Sequence, residues 1–227
     1  MTWRFDHPAG VMIDKNQIAA IVPAYNEELT VGTVVRTLVK SGFFCEVIVV
    51  SDGSTDRTVE CAREAGASKI ITSDQKLGKG LAMRRGALAT DAPFIFFCDA
   101  DLLGLRVEHV SSLIEPVLSG AVGMCVDLHD RGTRITWLMR YLPLIGGERA
   151  LSREWFLMIP EKFLRGYRVE IAMNAFMRAR GLKIKAIKLE GLRIRSKMQK
   201  IGFWRGCIAY IKMTLELAHA LWQTERR

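Results

Sequence analysis

Long apolar runs are missing from this chain. No stretch of about 18 or more apolar residues occurs, which excludes a membrane-spanning helix. The first 14 residues lack the order of an export signal, because Arg4, Asp6, His7 and Pro8 interrupt them. Cysteine is sparse: Cys45, Cys61, Cys98, Cys125 and Cys207 form no CxxC pair and no metal-ligand spacing. Most sit in apolar surroundings, as buried thiols of a reducing cytoplasm do. No long low-complexity segment marks the chain as disordered. Two phosphate-binding signatures are also absent. No Gly-rich dinucleotide turn follows the first apolar run, and no GxxxxGK[ST] loop occurs. A Rossmann dehydrogenase and a P-loop hydrolase therefore find no support.

What is present is enough for a substantial core. The 227 residues are 49% apolar, which fits one large domain or a domain with an appendage. The net charge of +9 is unevenly spread. From Arg178 onward there are 13 Lys/Arg against 3 Asp/Glu, whereas the rest of the chain has 20 against 21. A basic C-terminal third suggests a negatively charged partner such as a phosphorylated substrate or lipid headgroups. Nucleic acid is the least favoured partner and is not expected, because the basic region lacks a recognisable binding motif.

Apolar runs alternate with helical periodicity through the first hundred residues. Residues 1–16 read as an irregular leader. Strands are expected at 17–22, 46–50, 69–72 and 93–98, with helices at 29–40, 57–65 and from the Gly78-Lys79-Gly80 loop to Thr90. Asp56 or Thr55 is placed to cap the second helix. Strand–helix alternation implies parallel strands and right-handed crossovers, hence an α/β fold with a doubly wound, mostly parallel sheet and helices on both faces. Further on, helices are expected at 106–118, 133–142, 169–180 and 201–223, and strands at 121–127 and 183–188. Residues 143–151 read as a loop leading to a short strand, and 160–164 as one helical turn.

Polar loops follow the first, second and fourth strands, and on a parallel sheet these share one edge. Ligands bind at that edge. Asp99-Ala100-Asp101 ends the fourth strand. Two carboxylates so spaced suit a hard divalent cation carrying a diphosphate, although an Asp-rich turn has the same composition. Lys79, between glycines at a helix start, suits phosphate; a solvated loop lysine is the alternative. Asp52 can accept from a base N–H and Asp99 from ribose hydroxyls.

Four ordered motifs carry a resemblance: Ile21-Val-Pro-Ala-Tyr-Asn-Glu27, Val49-Val-Ser-Asp-Gly-Ser-Thr-Asp56, Gly78-Lys79-Gly80 and Asp99-Ala100-Asp101. Together they resemble the nucleotide-sugar half of family 2-type glycosyltransferases with the GT-A fold. The resemblance implies that Pro23, Ala24, Tyr25 and Glu27 line the nucleoside pocket. It also implies that Asp52 faces the base, Lys79 lies near base or diphosphate, and Asp99 and Ala100 approach the ribose. Asp101, with Asp99, would bind Mg²⁺ or Mn²⁺ through the DxD motif.

Gly146-Gly-Glu-Arg-Ala150 and Gly166-Tyr-Arg-Val-Glu-Ile171 resemble the acceptor half of glucosyl-3-phosphoglycerate synthases and their relatives. That implies Glu170 at the transferred sugar and Gly147, Glu148, Arg149 and Tyr167 at the acceptor, with Arg149 on an acceptor phosphate. A helix-start carboxylate favoured by the dipole is the bland reading of Glu170. Glu148 and Glu170 are the candidates for a general base. Relatives often supply a metal-binding histidine after the strand at 183–188, but Glu190 to Lys197 contains none. Arg193 or Arg195 would neutralise the diphosphate, or His129 or His109 would reach in, or Asp and water alone hold the metal; His129 and His109 otherwise read as ordinary surface histidines.

The final helix places Trp204, Ile208, Ile211, Leu215, Ala218 and Trp222 on one stripe beside Arg205, Lys212, Glu216 and His219. It either rests on an anionic membrane or packs on the sheet or a twin subunit. The expected organisation is a leader (1–16), a nucleotide-sugar half (17–127), an acceptor half (128–199) and a basic amphipathic helix (200–227). The expected activity is transfer of a hexose from UDP-glucose or GDP-mannose to a small phosphorylated or polyprenyl-phosphate acceptor. The expected location is the cytoplasm or the inner membrane face. A sugar-phosphate nucleotidyltransferase and a non-catalytic nucleotide-sugar binder are the alternatives.

Overall fold

The computed structural model describes residues 17–128, 146–165 and 169–194. The expected leader, the helix at 133–142, His129, Tyr167, Arg195, Cys207 and the C-terminal helix lie outside the described residues.

Strands β1 (Ile18–Ala24), β2 (Glu46–Asp52) and β4 (Phe94–Phe97) are apolar and lie in the sheet centre, buried on both sides. Successive side chains leave opposite faces of a strand. Ile18, Ala20, Val22, Val47, Val49 and Phe96 therefore enter one core, and Ile21, Ile48, Val50, Ile95 and Phe97 the other. Helices α1 (Val31–Ser41) and α4 (Val107–Leu118) cover the first face. Helices α3 (Lys79–Leu88), α5 (Arg153–Leu157) and α6 (Val169–Ala179) cover the second. Helix α2 (Thr58–Glu64) packs beside α1 through Ala62.

With β3 (Lys69–Ser73), β6 (Met124–Asp127), β7 (Arg149–Ser152) and β8 (Ile184–Ile187), the sheet order is β3-β2-β1-β4-β7-β6-β8. Only β7 is antiparallel to its neighbours; the other pairs are parallel. The chain steps outward from β1 through β2 to β3, then returns to β4 on the opposite side of β1. The loops after β1 and β4 diverge at that reversal and open a crevice at the strands' carboxyl ends.

Two expectations need correction. Residues 149–151 were expected in a loop, yet they belong to β7, and the residues after them form α5. Arg149-Ala-Leu-Ser carries no β-branched or aromatic residue; pairing with β4 on one side and β6 on the other makes it a strand. A two-stranded sheet of β5 (Leu102–Leu103) and β9 (Arg193–Ile194) was not foreseen. It places Ile194 across from Leu102, the neighbour of Asp101.

Gly86 lets α3 lie flat on the sheet: a Cβ there would sit 2.4 Å from Ile21 Cγ2 and 3.2 Å from Val50 Cγ2. Gly86→Ala is expected to destabilise the chain by about 1–3 kcal/mol through overpacking, despite alanine's better helix propensity. Chemical denaturation measures this, and a gain in stability would contradict it.

Candidate functional site

The loops after β1 and β2 are stitched to each other. Asn26, at φ 54 the one non-glycine left-handed residue described, donates its N–H to Ser54 Oγ and accepts from Thr55 N–H through Oδ1. The Glu27 amide donates to Thr58 Oγ1 at 2.8 Å. Glu28 and Asp56 exchange bonds across the same seam: Asp56 Oδ2 accepts the Glu28 N–H, and Glu28 Oε2 accepts the Arg57 N–H. Asp56 Oδ1 also accepts the first helical amide of α2, from Thr58. The polar residues of these two motifs thus brace the crevice. They leave Tyr25 and the Glu27 side chain on its wall.

Asp52 carries out a similar task for the next loop. Its two carboxylate oxygens accept the Leu77 and Gly78 amides at 2.8 and 2.7 Å. This fixes Gly78, at φ 100, as the residue from which α3 starts. Lys79 is then the first helical residue, and its ammonium reaches Asp99 Oδ1 at 2.7 Å and Glu170 Oε1 at 2.9 Å. A cleft of about 550 Å³ results. Its wall includes Pro23, Ala24, Tyr25, Glu27, Asp52, Lys76, Gly78, Lys79, Asp99, Ala100, Asp101 and Glu170. Every donor-side residue named from the sequence lies on it, together with both aspartates of the DxD motif and Glu170.

Charge in the cleft is unbalanced. Five carboxylates (Glu27, Asp52, Asp99, Asp101 and Glu170) face two ammonium groups, Lys76 and Lys79. Burial tends to discharge Lys79, but Asp99 and Glu170 outweigh it and raise the lysine above its ordinary value. Burial likewise acts to raise Glu170, and there the charges of Lys79 and Arg149 win, holding the carboxyl below its usual value. At Asp101 the pull of Lys79 is outweighed. Burial, with the charges of Asp99 and Glu27, pushes it up to about 6. The donors around Asp101 are hard oxygens, suited to Mg²⁺ or Mn²⁺. No group of three or more His, Cys, Asp or Glu converges among the described residues.

The acceptor-side expectations fare differently. Glu148 and Arg149 are 0% exposed and line no part of the cleft. Arg149 is spent inside the protein, donating to the Gly146 carbonyl at 2.8 Å and to Asn174 Oδ1 at 2.7 Å. Both side chains thus lie behind the cleft, away from the wall that carries the donor-side residues. Gly147 lies close against Asp99: a Cβ on it would clash with Asp99 Oδ2. His109 is buried, not a surface histidine, and its ring bonds Arg106 and the Glu190 carbonyl at the start of α4. Arg193 is exposed on β9 and does not line the cleft.

The model of the glycosyl transferase family 2 domain matches residues 19–176, from the first residues of β1 to the middle of α6. The chain belongs to this family. Among curated proteins, this family 2 member is 32% identical over 191 residues to a glucosyl-3-phosphoglycerate synthase of Mycolicibacterium smegmatis, covering 69% of the chain and 62% of the relative. It is 33% identical over 128 residues to a 4,4'-diaponeurosporenoate glycosyltransferase of Staphylococcus aureus, covering 54% and 32%. The chain thus spans about six-tenths of the length of the synthases it matches. A crystal structure of glucosyl-3-phosphoglycerate synthase from Mycobacterium tuberculosis with Mn²⁺ and UDP-glucose superposes with a TM-score of 0.73 at 30% identity, covering 87% of this chain and 78% of that one. A complex of the same enzyme with Mn²⁺, UDP-glucose and phosphoglyceric acid superposes at 0.72 and 29%, covering 89% and 80%. The α/β GT-A fold expected from the motifs is the fold of this family 2 member.

Sequence reasoning missed Lys76. Its ammonium lies 3.6 Å from the centre of the Tyr25 ring, a cation–π contact at the cleft mouth. The signal was its place in the loop just before Gly78, but only the Asp52 bonds turn that loop toward Tyr25. The family motif also has a tight spot behind Asp99. Gly147→Ala is expected to drive Asp99 off Lys79 and to weaken binding of Mn²⁺–nucleotide by about tenfold or more, a 1.4 kcal/mol effect, with the fold retained. Isothermal calorimetry decides it; unchanged affinity would mean that the loop yields instead of Asp99.

Proposed function

We propose that this chain transfers a hexose from a nucleotide diphosphate sugar to a phosphorylated acceptor, with Mg²⁺ or Mn²⁺ at Asp101. One observation carries the reading: the family 2 motifs converge on one cleft at the sheet's reversal point, with a carboxylate excess around Asp101 and a lysine at a helix start. UDP-glucose is the first donor and GDP-mannose the second. A small phosphorylated acid is the first acceptor and a polyprenyl phosphate the second. The M. tuberculosis structures with UDP-glucose and phosphoglyceric acid favour the first of each pair.

In this reading the nucleoside lies against Pro23, Ala24 and Tyr25. Asp52 retains a lone pair on each oxygen for a base N–H after bonding the Leu77 and Gly78 amides. Lys79 and the positive end of α3 meet the diphosphate. Asp101, with Asp99, holds the divalent ion, which supplies positive charge to the departing diphosphate. Glu170 accepts hydroxyl hydrogens of the transferred sugar. Lys79 and Arg149 keep its carboxylate ionised and weakly basic, so it orients the sugar and does not take the acceptor's proton.

A thermal-shift screen of UDP-glucose and GDP-mannose with Mn²⁺ tests the donor, followed by detection of a glycosylated phosphoglycerate. A bound donor raises stability by mass action; no shift with any nucleotide sugar would overturn the proposal. The metal assignment has its own signature. A carboxyl raised from 3.8 to about 6 binds more protons folded than unfolded, so stability falls as pH climbs through that window. A cation at Asp101 removes the penalty and competes with the proton below it. The Mn²⁺-induced rise in Tm is therefore expected to be larger at about pH 7.5 than at about pH 5; an equal rise at both would place the ion elsewhere.

A further inference from the structure

Behind the cleft lies a buried cation whose charge bears on Glu170 from within the fold. Arg149 is fully buried, and a charge in that position must be held by partners or it destabilises the fold. Its partners belong to the elements that carry the cleft's acids. The backbone of Arg149 sits in β7, opposite Phe97 of β4, two residues before Asp99, and opposite Val126 of β6. Nε donates to the Gly146 carbonyl, which anchors the loop whose next residue, Gly147, presses on Asp99. Nη1 donates to Asn174, also fully buried, one helical turn beyond Glu170 on α6. The charges of Glu170, Glu148 and Asp99 all act on the guanidinium. Asp99 and Glu170 in turn grip the same Lys79 ammonium.

We infer that Arg149 is a positioning residue: its guanidinium ties the loop behind Asp99 to the helix bearing Glu170, and so sets how those carboxylates meet the sugar. It touches no substrate. The two donations leave in different directions from one planar group, a geometry that a lysine does not reproduce. The inference rests on the cleft being a sugar-transfer site, and it reassigns Arg149 from the acceptor phosphate to the support of Glu170.

The test uses the full chain with Arg149→Lys, Arg149→Met and Asn174→Ala, each checked for cooperative unfolding. Asn174→Ala keeps the charge and removes only the tie to α6, so a failure of Arg149→Met to fold leaves two variants to decide. In each folded variant UDP is expected to bind with Mn²⁺ within about threefold of the parent. The turnover number is expected to fall by about 30–100-fold, with the acceptor KM little changed, as for a misplaced reacting group. In Arg149→Met the Glu170 carboxyl, followed by ¹³C NMR and assigned with Glu170→Gln, is expected to titrate at higher pH than in the parent. A raised acceptor KM with unchanged turnover would overturn the inference and return Arg149 to the acceptor. Unchanged turnover with an unchanged Glu170 titration would overturn it as well. Failure of the functional reading looks different: the parent chain itself would then bind no nucleotide sugar, while the Glu170 titration would still report whether Arg149 governs that carboxylate.

Discussion

Lys79→Met is expected to abolish measurable binding of a nucleotide diphosphate sugar and to lower turnover on the order of 10²–10³-fold, the range seen when one preorganised donor to a developing charge is removed. Lys79 is the only ammonium in the described structure that touches two cleft carboxylates. Without it, Asp99 and Glu170 face each other across a cleft that already holds Asp101 and Glu27. The stability consequence has a definite sign. In the parent chain Glu170 is held below its usual value, so its contribution is present at neutral pH and lost as the pH falls through its titration. In the variant the burial that acts to raise Glu170 is unopposed by Lys79. Glu170 then takes up its proton more readily than in the parent, and less of its contribution remains at neutral pH. Melting temperatures from about pH 7.5 down to about pH 5 are expected to rise on acidification in the parent through Asp101, and more steeply in the variant, where Glu170 titrates nearer that window. Added Mn²⁺ is expected to restore part of the variant's stability at neutral pH, because a divalent ion can replace the lost counter-charge. A variant that binds UDP-glucose as the parent does would remove Lys79 from the diphosphate.

Asp101→Asn should separate stability from function. The substitution keeps shape and removes a carboxylate that burial, Asp99 and Glu27 all push toward its protonated form. At neutral pH the variant is therefore expected to melt higher than the parent without metal, by a few degrees, as functional-site residues often do when neutralised. Its donor binding is expected to lose all dependence on Mn²⁺. Turnover is expected to drop by roughly 10³-fold, the loss of several kcal/mol of charge stabilisation on the leaving diphosphate. Electron paramagnetic resonance of free Mn²⁺ reads the metal, and a coupled assay for released UDP reads the turnover. Metal-dependent donor binding that survives the substitution would exclude Asp101 as the ligand, whatever happens to the melting temperature.

Much of this site was legible before any coordinates. Pro23, Ala24, Tyr25, Glu27, Asp52, Lys79, Asp99, Ala100 and Asp101 were named from four short motifs, and all lie on one cleft. They could be named because parallel strands bring loops that are distant in sequence to the same edge, so strand-end position alone predicts convergence. The acceptor side was less legible. Glu148, Arg149 and Gly147 follow a loop-like stretch rich in glycine, and nothing local says that Arg149 begins a strand. Between β4 and β6 its side chain is buried, a placement that only the strand pairing reveals. His109 was likewise misjudged as a surface residue. It closes the first turn of α4 against Arg106 and the Glu190 carbonyl, a partner 81 residues away.

By itself the sequence determined the alternation of strands and helices, the doubly wound sheet and the family to which the chain belongs. These follow from apolar periodicity and from loop residues whose chemistry is local. The roles within the cleft were decided only by the tertiary structure. Whether an aspartate braces a loop, as Asp52 does, or is pushed toward its protonated form, as Asp101 is, depends on which charges the fold brings near it. Coulomb interactions and burial act through space, and a linear sequence holds neither distance nor depth.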